Sequence, residues 1–343
     1  MNNRYKNIVK TAAFAAILIL LLLSLSWVFA PSYWYPQKRL QDRNCRIAEL
    51  SLEKENTIDI LNLGDSESVA GFSPIDLWKE YGFTSFNCGA DALRMGEAYY
   101  VVKLALENQK PKVILMETNM FFRFHLIEEF ETDVAQFVYY YFRGLRYHNL
   151  WKQPFELEGV KTYYKGYLVN QRITPYEGPE NYMDQVLHWT MRTDVPSKTR
   201  YEFSQLKKLC EENGIRLILY SIPSSFNYNH PRCDTLAALA QENGLTYLDL
   251  NSEPSIVIDW QQDTSDGGDH INLYGARKVS HFFGEYLKEN GLAEDHRGDS
   301  YYAEWDALVQ PFEQLVEEMK GKYFGDIEQE RNEALKREKE EKK

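Results

Sequence analysis

A three-layer α/β domain with a parallel sheet, preceded by one transmembrane helix, is the architecture this chain predicts. Two observations carry it. Strand-like and helix-like segments alternate between residues 57 and 290, and an uncharged run, residues 11–30, stands ahead of them. Strands alternating with helices build parallel sheets covered by helices on both faces.

The uncharged run includes ILILLLL at 17–23. Twenty helical residues at about 1.5 Å each cover the roughly 30 Å hydrocarbon core of a bilayer. Trp27, Phe29, Tyr33, Trp34 and Tyr35 cluster at its far end, as an interfacial aromatic belt does. A cleaved signal peptide is the alternative. Its apolar region is typically only about 7–15 residues, and here Pro31 directly follows the cleavage-like Val28-Phe29-Ala30. The run therefore reads as an uncleaved anchor. Arg4, Lys6 and Lys10 abut it, whereas Lys38, Arg39, Arg43 and Arg46 start further off. Residues 1–10 are accordingly expected in the cytoplasm and the body outside the cell, in a single-pass cell-membrane protein.

Residues 31–55 are polar and charged and read as a helical stalk. A strand is expected at 57–63 (TIDILNL), a short helix at 75–81, a brief strand at 84–87 and a longer helix at 92–108. The continuous apolar run KVILME at 112–117 is typical of a buried parallel strand. A helix at 200–213 ends at Gly214, and the strand IRLILYS at 215–221 follows. The next helix, 234–243, ends at Gly244, a strand occupies 245–250, and the last helix of the domain covers 274–290.

Residues 120–198 interrupt this series. They are aromatic-rich (FVYYYF, YHNLW, TYYKGY) and lack alternation, so they read as an insertion in the domain spanning 56–292, either a substrate-facing cap or structural decoration. From residue 293 a helical, charged tail is expected. Trp305, Leu308, Phe312, Leu315 and Met319 recur there at helical spacing, with Pro311 expected to break or kink the helix. The mixed-charge run 326–343 reads as solvated.

Composition excludes several classes. The 343 residues carry a net charge of −12, with a sequence pI near 5.2 and no basic stripe, which argues against a nucleic-acid partner. A hydrophobic fraction of 44% excludes a wholly disordered chain. Cys45, Cys88, Cys210 and Cys233 show neither CxxC nor zinc-ligand spacing and read as free, buried thiols.

In doubly wound sheets, function collects at the carboxyl ends of the strands. Gly64-Asp65-Ser66 follows the first strand, Asn87-Cys88-Gly89 the second and Glu117-Thr118-Asn119 the third; Asp266-Gly267-Gly268-Asp269-His270 leads into the last helix. That set suits acyl transfer. A serine hydroxyl becomes nucleophilic when an imidazole takes its proton, and a carboxylate fixes the imidazole's tautomer. Backbone N–H groups and an asparagine amide can hold the oxyanion. Ser66 capping a helix is the plainer alternative. Asp266, Asp269 and His270 could also be read as a metal cluster, but no second histidine stands at a suitable spacing, and neither metal nor cofactor is expected.

On these residues the chain resembles the SGNH, or GDSL-type, hydrolase superfamily. Within it, SVAGFSPIDLW and RYHNLW are similar to a membrane-anchored bacterial branch that includes DltD and AlgX/AlgJ-like polysaccharide O-acetyltransferases. The resemblance implies Ser66 as nucleophile, His270 as base, and Ser66, Gly89 and Asn119 as the oxyanion hole. Two departures stand out: Glu117 replaces the third block's glycine, and Gly267 occupies the position of the fifth block's aspartate. Asp266 is favoured as triad carboxylate because a glycine-rich turn can fold back, with Asp269 as the alternative. The resemblance also implies a cell-surface glycopolymer substrate and an acyl donor supplied by a multispanning membrane acyltransferase; a binding module or a tethered carboxylesterase are the competing readings. His148, Trp151 and Tyr167 in the insertion are candidate substrate-binding residues, with Asn149 and Lys165 as polar neighbours, although His148 and His125 also suit plain packing.

Overall fold

A computed structural model of the chain describes residues 3–28, 44–123, 126–149, 164–184 and 192–320. Its first helix, α1 (Asn3–Val28), is long and apolar enough over Arg4–Val28 to cross a membrane, and its most apolar window has no burial against the body. The helix starts ahead of residue 11, so Arg4, Lys6 and Lys10 ride on its first turns. By length and composition it fits a membrane anchor or a signal sequence.

The short helix α2 (Cys45–Leu50) buries Ile47, Ala48 and Leu50. This corrects the polar stalk expected over 31–55 for its part from residue 45 on. In CRIAEL the apolar residues fall a turn apart, and the body's core takes them in. Residues 29–43 lie outside the described residues.

The body is built on five parallel strands: β1 (Ile60–Leu63), β2 (Ser85–Asn87), β3 (Val113–Glu117), β4 (Arg216–Ser221) and β5 (Thr246–Asp249). Their order is β2-β1-β3-β4-β5, with Ile60 opposite both Ser85 and Val113. Every residue of β1, β2 and β3 is buried, as strands covered on both faces must be.

The helices sort into two layers. In chain order they are α3 (Ser66–Gly71), α4 (Pro74–Tyr81), α5 (Met95–Ala105), α6 (Leu126–Tyr141), α7 (Arg143–Arg146), α8 (Ser197–Glu212), α9 (His230–Asn243), α10 (Leu273–Glu289) and α11 (Ala303–Glu318). Helices α3, α4, α10 and α11 pack together, and α5, α6 and α8 form the other group. The parallel α/β architecture expected from the alternation is thus what the chain folds into. Strand order reverses between β1 and β3, and a crevice opens outside the strand ends at such a switch point. Ser66 follows β1 and Asn119 follows β3, so the topology alone sets them at its two sides.

Core packing continues past residue 292. Helix α11 runs unbroken through Pro311, and Trp305, Phe312, Val316 and Met319 are buried. The Trp305 ring lies 5.4 Å from Trp78, and Phe312 lies 5.1 Å from Tyr164. Tertiary packing of this stripe offsets the hydrogen bond that proline removes. Residues 321–343, with the mixed-charge run, lie outside the described residues. All four cysteines are buried, and none is in a disulfide among the described residues.

Candidate active site

Strand β1 delivers its chain into Gly64-Asp65-Ser66. Asp65 is the N-cap of α3, its Oδ1 accepting the Glu67 N–H at 3.1 Å. Ser66 is therefore the first helical residue, and its hydroxyl is free of the capping duty considered for it. Ser66 Oγ lies 2.9 Å from His270 Nε2. On the other side of the ring, His270 Nδ1 lies 2.6 Å from Asp266 Oδ2, while Asp266 Oδ1 accepts the His270 backbone N–H at 2.7 Å. The intervening turn needs Gly267 and Gly268, whose φ values of 81° and 102° let the chain reverse and bring Asp266 back. Ser66, His270 and Asp266 are thus linked by hydrogen bonds in the arrangement of a Ser–His–Asp triad.

Asp269, the alternative carboxylate, stands 3.6 Å from Nδ1, beyond hydrogen-bond reach. Its Oδ1 instead accepts from Asn227 Nδ2 at 2.6 Å. Of the two aspartates flanking the glycines, Asp266 is the one within hydrogen-bond distance of the ring.

The expected oxyanion donors are only partly free. Ser66 N–H, first in its helix, has no intrahelical carbonyl to bond. Asn119 Nδ2 donates one hydrogen to Asp65 Oδ2 at 2.9 Å, and its Oδ1 accepts from Arg232 Nη1 at 3.3 Å. A second Nδ2 hydrogen remains for an oxyanion. Gly89 packs so closely that an added Cβ would lie 2.3 Å from Ser68 Oγ. Its N–H, however, donates to Asn87 Oδ1 at 3.2 Å, so this donor is already engaged.

Behind these groups lies a charged network to which sequence reasoning assigned no role. The fully buried Asp65 also accepts from Arg123 Nε at 2.6 Å. Glu117, the departure from the expected glycine, accepts the Asn119 backbone N–H at 2.9 Å and the Tyr228 hydroxyl. Burial first, and Asp65 second, push its carboxyl up to about 8. Arg232 is buried beneath the site, stacked 4.3 Å over Phe122, and burial brings it down to about 10. Glu67 is buried as well. Its Oε1 accepts from Asn227 and lies 4.0 Å from His270 Nε2, whereas Oε2 has no partner among the described residues. Burial raises the Glu67 carboxyl well above the usual range. For His270, burial opposes the charged form, but Glu67, then Asp266 and Asp269, outweigh it and push the imidazole up to about 10. The position of Glu67 directly after Ser66 was the available signal; the spacing of Asn227, Arg123 and Arg232 from the motifs offered none.

Glu67, Asp269 and His270 bring one ligand atom each within 4.8 Å of one another. The Asn227 amide bridges Glu67 and Asp269, placing a hydrogen-bond donor between the carboxylates, and His270 Nε2 is committed to Ser66. These contacts are those of a hydrogen-bonded cluster rather than a metal centre.

Of the candidate substrate residues, Tyr167 and His148 lie among the described residues. Tyr167 is fully buried, because the turn Lys165-Gly166 docks on the end of β2, with Asn87 N–H donating to the Lys165 carbonyl at 2.9 Å. It is a core residue and not a platform for sugar rings, which corrects its assignment. Lys165 is likewise buried, paired with Glu53 at 2.6 Å and Glu304 at 3.2 Å. His148 is half-buried just beyond α7, its Nδ1 2.7 Å from the Leu145 carbonyl. Asn149 follows it, and Trp151 and His125 lie outside the described residues. Among the described residues of the insertion, Thr174 meets the loop that leads to His270: its N–H donates to Thr264 O at 3.0 Å, and Gly267 N–H donates to Thr174 O at 3.0 Å.

No known family model matches the chain, and no curated protein matches it. Among solved structures it is similar to a proposed acylhydrolase from Bacteroides fragilis, at 13% identity and TM-score 0.37, covering 73% of this chain and 96% of that one. A GDSL-like lipase from Bacteroides thetaiotaomicron gives 10% identity and TM-score 0.37, covering 71% and 95%. A proposed G-D-S-L family lipolytic protein from Desulfitobacterium hafniense gives 12% identity and TM-score 0.37, covering 67% and 97%. Overlaps this loose carry no argument, and the reading of the site rests on its own geometry.

Proposed function

We propose that this protein is a membrane-anchored serine acyltransferase or esterase working through an acyl-Ser66 intermediate. The observation that carries the proposal is the unbroken line Ser66 Oγ, His270 Nε2, His270 Nδ1, Asp266 Oδ2, with both links at hydrogen-bond distance. Ser66 Oγ attacks an ester carbonyl while His270 Nε2 takes its proton and Asp266 stabilises the imidazolium. The oxyanion is held by Ser66 N–H and Asn119 Nδ2, and the leaving alcohol takes the proton from Nε2. A second hydroxyl, from water or an acceptor, then surrenders its proton to His270 Nε2 and attacks the acyl carbonyl; the bond to Ser66 Oγ breaks, and Oγ takes the proton back from Nε2.

The unburied α1 supports anchoring, with the N-terminus in the cytoplasm and the body at the cell surface. The resemblance of the blocks around Ser66, Asn119 and His270 to anchored DltD-like and AlgX/AlgJ-like proteins supports an O-acyl or O-acetyl group as cargo. It likewise supports a cell-surface glycopolymer as acceptor and a multispanning membrane acyltransferase as donor. The test is labelling of the full chain with a serine-directed fluorophosphonate, followed by mapping of the modified peptide. Modification at Ser66, lost in His270→Ala, is expected. Absence of labelling in folded protein would leave a non-catalytic binding module. Turnover that only water ever completes, whatever glycan is offered, would leave a tethered carboxylesterase.

A further inference from the structure

Helix α6 is amphipathic the wrong way round. Two of its polar side chains bond to the body: half-exposed Asp133 pairs with Lys198 at 2.8 Å, and Gln136 is buried, donating to Glu97 Oε1 at 3.1 Å and accepting from Arg146 Nη2 at 2.6 Å. Arg146 itself is buried. The outward face carries Ile127, Phe130, Val134, Phe137 and Tyr141, exposed to between 49% at Val134 and 69% at Phe130. Steps of three and four residues align these five as a single stripe. A soluble helix would bury such a stripe and expose Gln136. This one does the opposite.

The stripe ends where the anchor arrives. Helix α7 begins directly after it, and Gly144 N–H donates to Ser26 Oγ of α1 at 3.2 Å. An added Cβ on Gly144 would lie 3.0 Å from the Leu25 carbonyl group, so the two backbones meet with no room for a side chain. Leu25 and Ser26 lie in the last turn of the apolar span, next to the exposed Trp27, at the level where hydrocarbon gives way to headgroups. Tyr141 is therefore held at that same level.

We propose that α6 lies in the lipid–water interface, with Ile127, Phe130, Val134, Phe137 and Tyr141 among the acyl chains. This rests on the reading of α1 as a membrane span. The occupant is lipid because the stripe continues the lipid-facing surface of α1. Its contact is apolar, not electrostatic: α6 has no basic residue, and Glu131 is exposed beside the stripe. Binding should thus be independent of anionic lipid, unlike that of basic surface helices. At its other end α6 follows Asn119 and Arg123 through a short link, so the helix ties the catalytic edge to the membrane surface. The consequence is a site that draws its acyl ester or its acceptor from molecules held at the bilayer.

The test uses the full chain in phosphatidylcholine nanodiscs. Single cysteines replace Val134, Leu18 in mid-span, or the exposed Val257, each carrying an environment-sensitive fluorophore; the four native thiols are buried, and the unsubstituted chain gives the labelling background. The Val134→Cys label should emit to the blue of the Val257→Cys label. Shallow nitroxide lipids should quench it more than deep ones, as suits a helix buried about 5–10 Å into the interface. Leu18→Cys should show the reverse depth order. Anionic lipid should change neither. Adding Phe130→Ser and Phe137→Ser should abolish quenching at position 134 and leave that at position 18. A Val134→Cys label that behaves like Val257→Cys, with Leu18→Cys still quenched, overturns the inference and leaves the anchor standing. Self-quenching between two copies labelled at 134, without lipid quenching, overturns it in favour of a dimer. Loss of quenching at position 18 removes the anchor and this inference with it.

Discussion

Glu67 Oε1 stands 4.0 Å from His270 Nε2, the same nitrogen that Ser66 Oγ reaches at 2.9 Å. A buried carboxyl and the catalytic base thus share one small volume, and each sets the other's proton affinity. Burial favours the neutral form of Glu67; an ionised Glu67 favours the imidazolium. Only neutral His270 can accept the Ser66 proton.

The pH dependence follows. Because His270 is held above its usual 6.5, hydrolysis of a small ester should rise with pH, with the acid-limb midpoint of kcat/KM above 6.5 and approaching about 10. Glu67→Gln should move that midpoint down, since the largest group favouring the imidazolium is removed. The sign for stability is opposite: the raised group stabilises the fold fully below 6.5 and loses that contribution as pH climbs toward about 10. Denaturation midpoints between those limits should fall in the wild type more than in His270→Ala. An unmoved acid limb in Glu67→Gln would separate Glu67 from the base.

The two aspartates are separable by distance. Asp266→Asn should lower kcat by roughly 10³–10⁴, because it leaves the ring without the partner that fixes its tautomer. Asp269→Asn, at 3.6 Å, should cost less than about tenfold by the same reasoning. Steady-state rates of the two variants decide it, and the reverse ranking would move the triad carboxylate to Asp269.

Triad members act as a unit. Ser66→Ala and His270→Ala should each remove nearly all acyl turnover, and the double variant should be scarcely slower than either. Asn119→Ala, which removes an oxyanion donor, should cost about 10²–10³ in kcat. Its effect will include the release of Asp65 and Arg232, so thermal melts should accompany the rates.

Tyr167 supplies a test of the fold. Its ring is buried, and its hydroxyl has no hydrogen-bond partner among the described residues. Tyr167→Phe should be neutral or mildly stabilising, whereas Tyr167→Ala should cost about 3–5 kcal/mol through the cavity it leaves. Trp305→Ala, beyond the expected domain boundary, should cost a similar amount. Urea denaturation measures all three. A Tyr167→Ala protein of normal stability, impaired only in its response to a glycan acceptor, would restore the substrate-platform reading.

How much was legible in the sequence depended on whether a contact was local. The apolar span, the parallel strands, the placement of Ser66 and Asn119 just after strands and that of His270 ahead of the last domain helix all follow from periodicity and from turn chemistry within a few residues. The preference for Asp266 was also legible, because two glycines in a row permit the reversal that aims it at the ring. The rest required tertiary structure. That Tyr167 is core, and that α2 and α11 belong to the body, depend on partners far along the chain. No single-sequence pattern encodes such pairings. The same holds for α6: its stripe is visible in the sequence, but which face meets the body was decided by Lys198, Glu97 and Arg146, whose charges and hydrogen bonds hold Asp133 and Gln136 to the body and leave the apolar side out.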